Sequence, residues 1–272
     1  MTTHLAVLGS PIAHSKSPLL HAAAYRQLGL DWQYSAIEVT GESLRDFVDS
    51  RDESWRGLSL TMPLKRDVLP LLTVADEVVI QTGAANTVLF DDGIHGFNTD
   101  VYGITEAFRA AGVRSLHHVQ ILGGGATAAS ALAAVAALGA TRAQFALRDP
   151  AKAGPLEQLG ATLGMEIVVR PFGLQDRSMI VPDAVISTLP GHSEHSLQFA
   201  EPIRQGAVLF DVAYDPWPSP LASTWLGTVI SGLEMLTLQA LAQVRVFVNG
   251  STEKPLDDEA AVLAAMKAAV AL

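Results

Sequence analysis

The chain has 272 residues, no cysteine, 49% hydrophobic and 17% charged residues, and a formal net charge of −10. That apolar content excludes a disordered chain, and the acidic balance excludes nucleic acid as a partner, because duplex affinity comes largely from Lys and Arg neutralising phosphates. Without cysteine there are no disulfides, no thiolate metal ligands and no Cys nucleophile, which fits a reducing, cytoplasmic setting.

The opening Met1-Thr-Thr-His-Leu-Ala-Val-Leu-Gly-Ser10 has no basic stretch and only a short apolar run, so it reads as a first strand over 5–8 and not as a signal peptide. Ser17 at N-cap and Pro18 at N1 mark a helix over 18–28, which Gly29 ends. Further strands are expected at 34–39, 57–61, 87–90 and 96–98, and a helix begins near Val101. A second series of strands follows at 119–122, 144–147, 166–170, 184–187, 208–212 and 229–230. Helical segments fit between its early members, which argues for a parallel, doubly wound α/β sheet. The alanine-rich stretch 126–140 is too short to span hydrocarbon and reads as a buried helix, so no membrane partner is expected. Helices over 233–247 and 256–270, parted by Asn249-Gly250-Ser251, close the chain. No low-complexity linker occurs, and 101–112 and 232–238 are the expected crossings between two domains.

The run Val119-Gln-Ile-Leu-Gly123-Gly124-Gly125-Ala126-Thr127-Ala128 is a strand, a glycine turn and a helix start. Gly123, Gly125 and Ala128 fit the dinucleotide pattern, in which glycines allow the tight turn and let the backbone approach a pyrophosphate at the helix N-terminus. The next strand ends in Leu147-Arg148-Asp149-Pro150-Ala151-Lys152. An Arg here would pair with the 2′-phosphate of NADP and an acid with the ribose hydroxyls of NAD; Arg148 and Lys152 favour NADP, with NAD possible through Asp149. Asp149-Pro150 also reads as the cap of a following helix.

Four polar segments lie outside this loop. Ser15-Lys16-Ser17 offers two hydroxyls to a carboxylate, or a turn and a helix cap. Thr61-Met62-Pro63-Leu64-Lys65 runs a strand into a proline turn and delivers one lysine, which alone reads as a solvated charge. Gly83-Ala84-Ala85-Asn86-Thr87 and Asn98-Thr99-Asp100 complete the set. Asp100 is either the cap of the helix near Val101 or, brought to Lys65, half of a proton-transfer pair. His192-Ser-Glu-His195 has an i, i+3 spacing with no third ligand cluster, so no metal is expected, and His14 and His21 read as structural or substrate-adjacent.

These four segments, with Tyr214-Asp-Pro-Trp-Pro-Ser-Pro220-Leu221 and Gly232-Leu-Glu-Met-Leu-Thr-Leu-Gln239-Ala240, resemble in order the signature of the shikimate dehydrogenase family over nearly the whole chain. The resemblance implies an N-terminal substrate domain, 1–101 completed by 237–272, and a Rossmann-like domain over 102–236. It implies NADP-dependent reduction of 3-dehydroshikimate to shikimate in chorismate and aromatic amino-acid biosynthesis, with Lys65 as acid/base and Asp100 its partner. Ser15 and Ser17 would hold the substrate carboxylate, and Thr61, Asn86, Tyr214 and Gln239 would complete the pocket. Gly123, Gly124, Gly125, Ala126, Arg148 and Lys152 would hold the cofactor, with domain closure uniting it with substrate and the enzyme a monomer or homodimer. The chain departs from the common family pattern at Ser59, where Asn is usual, at Ala126 in the glycine loop, and at Leu147 and Asp149 around Arg148. The alternatives are a quinate/shikimate dehydrogenase preferring NAD, a non-catalytic dinucleotide-binding regulator, and a Rossmann-type methyltransferase.

Overall fold

The computed structural model describes residues 2–173, 175–176, 180–190 and 198–272, so His192 and His195 lie outside the described residues. The chain divides into two compact units, Met1–Gly103 with Leu236–Leu272, and Ile104–Met235.

The first unit begins with β1 (Thr3–Gly9), α1 (Ser17–Gln27), β2 (Trp32–Glu38), α2 (Gly41–Asp49), β3 (Trp55–Leu60) and α3 (Leu64–Asp67). It continues with β4 (Val74–Ala75), α4 (Glu77–Thr82), β5 (Thr87–Asp91) and β6 (Gly93–Phe97), and α5 (Asp100–Ala110) leads out of it. The sheet order is β2-β1-β3-β5-β6-β4. β1 runs parallel to β2 and β3, whereas β5 is antiparallel to both β3 and β6. The strand pattern follows position: β1 is buried along its last five residues, as a central strand must be, while edge strand β2 alternates between partly covered and exposed residues.

Ser17 departs from its expected capping role. It is the first helical residue of α1, Lys16 holds the N-cap position, and Ser15 Oγ accepts the Ser17 N–H at 3.3 Å. Gly29 does end α1, with φ +67° and Leu30 N–H donating to Tyr25 O at 2.9 Å. α4 was not expected from the sequence; Asp76 Oδ1 caps it through Val79 N–H at 2.7 Å, and Gly83 closes it at φ +62°.

The second unit carries β7 (His118–Leu122), α6 (Ala126–Ala137), β8 (Arg142–Leu147), α7 (Gly154–Thr162) and β9 (Glu166–Pro171). After these come β10 (Gln175–Asp176), β11 (Ala184–Ser187), β12 (Gln198–Phe199), α8 (Glu201–Gly206), β13 (Val208–Asp211) and β14 (Val229–Ser231). Its main sheet, in the order β14-β13-β11-β7-β8-β9, is parallel throughout. This is the doubly wound order in which the chain reverses direction beside β7, the strand that precedes the glycine turn. The alanine run forms α6, whose residues from Ala128 to Val135 are all buried. No helix among the described residues is long and apolar enough to cross a membrane.

α9 (Gly232–Asn249) and α10 (Glu259–Ala269) close the chain. α10 starts three residues later than the expected 256, because Leu256 N–H turns to Glu259 Oε2 at 3.0 Å and Asp258 adopts φ 48°. α9 lies hard against β3. A Cβ on Gly57 would stand 2.6 Å from Phe247 Cε1 and 2.4 Å from Val88 O, so only glycine admits this approach. Arg245 on α9 binds both Glu259 carboxylate oxygens at 2.6 and 2.7 Å, joining α9 to α10.

Candidate active site

In the first unit, Thr61 N–H donates to Leu8 O at 2.9 Å and Thr61 O accepts from Leu64 N–H at 2.8 Å. The chain therefore leaves β3 through Thr61-Met62-Pro63 and presents Lys65 on α3. Lys65 Nζ reaches Asp100 Oδ2 at 2.5 Å, with the two side chains 13% and 3% exposed. The lysine is thus not a solvated surface charge, and Asp100 does not act as a helix cap. Asn98 Oδ1 accepts the Asp100 N–H at 3.1 Å, and the Asp100 carboxylate is directed at side chains.

The other Asp100 oxygen, Oδ1, accepts from Asn86 Nδ2 at 2.9 Å. The same amide stands 2.9 Å from Thr99 Oγ1 and 3.2 Å from Gln239 Oε1, and Asn86 Oδ1 accepts Thr99 N–H at 2.9 Å. Asn86, Thr99, Asp100 and Gln239 are all buried. Three segments distant in sequence, 65, 86–100 and 239, are thus joined by one hydrogen-bonded cluster with a single ion pair in it. Ser15 is half-buried and Ser17 buried at the start of α1, and Thr61 is half-buried beside Gly9.

The buried polar chain extends past the residues singled out in the sequence. Gln243 lies one turn after Gln239, on the same face of α9. Its Nε2 donates to Asn86 O at 3.1 Å and Thr87 Oγ1 at 3.0 Å, and its Oε1 accepts from Ser59 Oγ at 2.9 Å. His21 Nε2 lies 3.2 Å from the same Oε1, and His21 Nδ1 lies 3.1 Å from Tyr25 Oη. His21 stacks on Tyr34 at 3.9 Å, and Tyr34 Oη donates to Ser59 Oγ at 2.7 Å. Burial lowers the His21 pKa to about 3, against a smaller upward pull from the Gln243 hydrogen bond, so the ring is neutral. Burial likewise pushes Tyr25 and Tyr34 up, and both keep their protons. Gln243 escaped the sequence reading, although the i, i+4 spacing from Gln239 was its available signal.

In the second unit, Gly123 turns at φ +107°, and a Cβ there would stand 2.5 Å from Thr188 Oγ1. A Cβ on Gly124 would meet Leu147 Cδ2 at 3.0 Å, whereas one on Gly125 would meet nothing within 4 Å. Gly125 takes the N-cap position of α6 with no side-chain cap, leaving backbone N–H groups at an open helix start. Ala126 is the first residue of α6 with negative φ, so its methyl is accommodated. Arg148 is exposed after β8, and Asp149 caps the short 3-10 turn Pro150–Lys152 through Ala151 N–H at 3.2 Å. Lys152 Nζ lies 3.7 Å from Asp149 Oδ2. An open glycine turn at a helix start with an arginine after the next strand fits a dinucleotide carrying an extra phosphate. Tyr214 follows β13 in this unit, and burial first, then the Asp215 charge, raises its pKa.

Residues 7–88 match the family model described as "Shikimate dehydrogenase substrate binding domain". A protein from Methanothermobacter thermautotrophicus named shikimate dehydrogenase (NADP(+)) is 33% identical over 94% of this chain and 94% of its own length. Among solved structures, the shikimate dehydrogenase of Mycobacterium tuberculosis is 35% identical, with TM-score 0.85, over 98% of this chain and 99% of that one. The shikimate 5-dehydrogenase of Thermus thermophilus in complex with NADP(H) and shikimate is 27% identical, with TM-score 0.79, over 98% of this chain and 100% of that one. On a match of this extent at this identity, the chain belongs to the shikimate dehydrogenase family.

Proposed function

We propose that this protein is an NADP-dependent shikimate dehydrogenase, interconverting shikimate and 3-dehydroshikimate, with Lys65 and Asp100 as its proton-transfer pair. The observation that carries the reading is the buried Lys65–Asp100 contact, assembled from two segments 35 residues apart and oriented by Asn86. A buried ion pair needs such further hydrogen bonds to offset its desolvation, and the same contacts hold an acid/base pair in the one geometry that proton transfer requires.

In the oxidation direction the nicotinamide supplies the hydride acceptor. Lys65 takes the C3 hydroxyl proton, and Asp100 orients the amine and accepts a hydrogen bond from substrate. Ser15 and Ser17, at the start of α1, hold the substrate carboxylate, and Thr61, Asn86 and Gln239 supply the remaining hydrogen bonds. Tyr214 stands in the other unit, and its role toward substrate rests on the family resemblance alone. Gly123, Gly124, Gly125 and Ala126 receive the pyrophosphate at the start of α6, with Arg148 and Lys152 on the 2′-phosphate. Asp149 opposes that phosphate electrostatically, but its carboxylate is already engaged with Ala151 N–H and Lys152.

Four initial rates test the reading, with shikimate or quinate as substrate and NADP⁺ or NAD⁺ as acceptor, followed by nicotinamide absorbance. Fast reduction with shikimate and NADP⁺ is the expected result. Preference for NAD⁺ would hand cofactor choice to Asp149, and activity on quinate would mark mixed specificity. Cofactor binding without turnover on either substrate would overturn the proposal.

A further inference from the structure

Gln243 is 2% exposed and uses its whole hydrogen-bonding capacity inside the first unit. Its orientation follows from chemistry. Asn86 O can only accept, so the atom facing it at 3.1 Å must be the amide nitrogen. The oxygen then faces Ser59 and His21, so the proton of the neutral imidazole sits on Nε2 and Tyr25 Oη donates to Nδ1. A flip of the Gln243 amide would set its oxygen against Asn86 O and force the Thr87, Ser59 and His21 contacts to exchange donor and acceptor roles.

The pinned set leads to the proton-transfer pair. Gln243 Nε2 donates to the carbonyl of Asn86, which Leu60 N–H also holds at 2.7 Å, and to the hydroxyl of Thr87, and Thr87 Oγ1 donates to Asn86 Oδ1 at 2.8 Å. With Oδ1 committed to Thr87 and Thr99, the Asn86 amide nitrogen must face Asp100 Oδ1, which leaves Oδ2 for Lys65. We infer that Gln243 is a positioning residue for this reaction, holding Asn86 and through it Asp100 in the orientation that Lys65 requires, without itself touching substrate. The inference rests on the assignment of Lys65 and Asp100 made above. It also accounts for Ser59: the hydroxyl proton goes to Gln243 and a lone pair to Tyr34, so this residue serves the scaffold.

The test is a double-mutant cycle of Gln243→Met and Thr87→Val, measured beside Lys65→Ala in the full-length enzyme, with thermal melting to establish the folded fraction. Gln243→Met should lower kcat per folded molecule by about 10- to 100-fold, the scale of a small misplacement at a reacting centre, with KM for NADP⁺ unchanged. Thr87→Val should do the same to a smaller degree. Because both act through Asn86, the double variant should lose little more than Gln243→Met alone. A lower melting temperature with kcat per folded molecule within about twofold of wild type would make Gln243 merely structural and overturn the inference. Losses in the two variants that simply multiply would overturn the shared route. If Gln243→Met does not fold, Thr87→Val decides: an unchanged kcat there overturns the inference. A Lys65→Ala enzyme that keeps its turnover is a separate failure, because it removes the pair itself.

Discussion

Asp100 gives one carboxylate oxygen to Lys65 at 2.5 Å and keeps the other on Asn86, so the lysine meets an acceptor that cannot rotate. Replacing Lys65 by Ala removes the group proposed to take the proton while leaving the serines and Asn86 in place. It should reduce kcat by about 10²- to 10⁴-fold, the usual worth of a positioned acid/base. Shikimate affinity measured by calorimetry should change little. Near-normal turnover would exclude Lys65 from the chemistry.

The buried histidine sets an acid limit on stability. His21 has a folded pKa of about 3 against 6.5 for the free side chain. Between those values the unfolded chain binds a proton that the folded chain does not. Unfolding free energy should therefore fall as pH drops through that window, by up to about 1.4 kcal/mol per unit, and be unaffected by His21 above it. Denaturant unfolding from pH 7 down to pH 4 should show a shallower loss in His21→Phe than in wild type, once both are compared with their own neutral values. Equal slopes would mean that folded His21 carries its proton.

Cofactor choice should respond to the two side chains after β8 in opposite directions. Arg148→Gln should raise KM for NADP⁺ by about 10- to 100-fold, as expected for loss of a charge-assisted hydrogen bond, and leave NAD⁺ nearly unchanged. Asp149→Ser keeps an oxygen to cap Ala151 N–H but removes the negative charge, so KM for NADP⁺ should fall. If Asp149→Ser instead weakens both cofactors alike, Asp149 acts only as a cap.

The glycine turn should tolerate substitution unevenly. Gly123→Ala must hold φ +107° with a Cβ 2.5 Å from Thr188 Oγ1, at a cost of about 1–3 kcal/mol. It should lower the melting temperature and weaken NADP binding together. Gly125→Ala meets nothing within 4 Å, so its melting temperature should stay near wild type while cofactor affinity falls, because the methyl would enter the space proposed for the pyrophosphate. An unchanged cofactor affinity in Gly125→Ala would argue that no phosphate approaches this turn.

Sequence by itself determined the second unit's strand–glycine–helix start, the buried alanine helix and the ordered polar segments. Each of these is a local pattern in which spacing and residue type already dictate the conformation. Sequence also left real alternatives at Ser17, Asp100 and Lys65, since a cap, a surface charge and a catalytic group can share one residue type. Tertiary structure removed the cap and surface-charge readings. Ser15 Oγ meets the Ser17 N–H, and Asp100 spends its carboxylate on Lys65 and Asn86 because α3 and the start of α5 bring positions 65 and 100 together. The contacts of Gln243 were decided there too. A buried amide is defined by the donors and acceptors around it, and those come from residues 21, 59 and 86–87, which only folding places around α9.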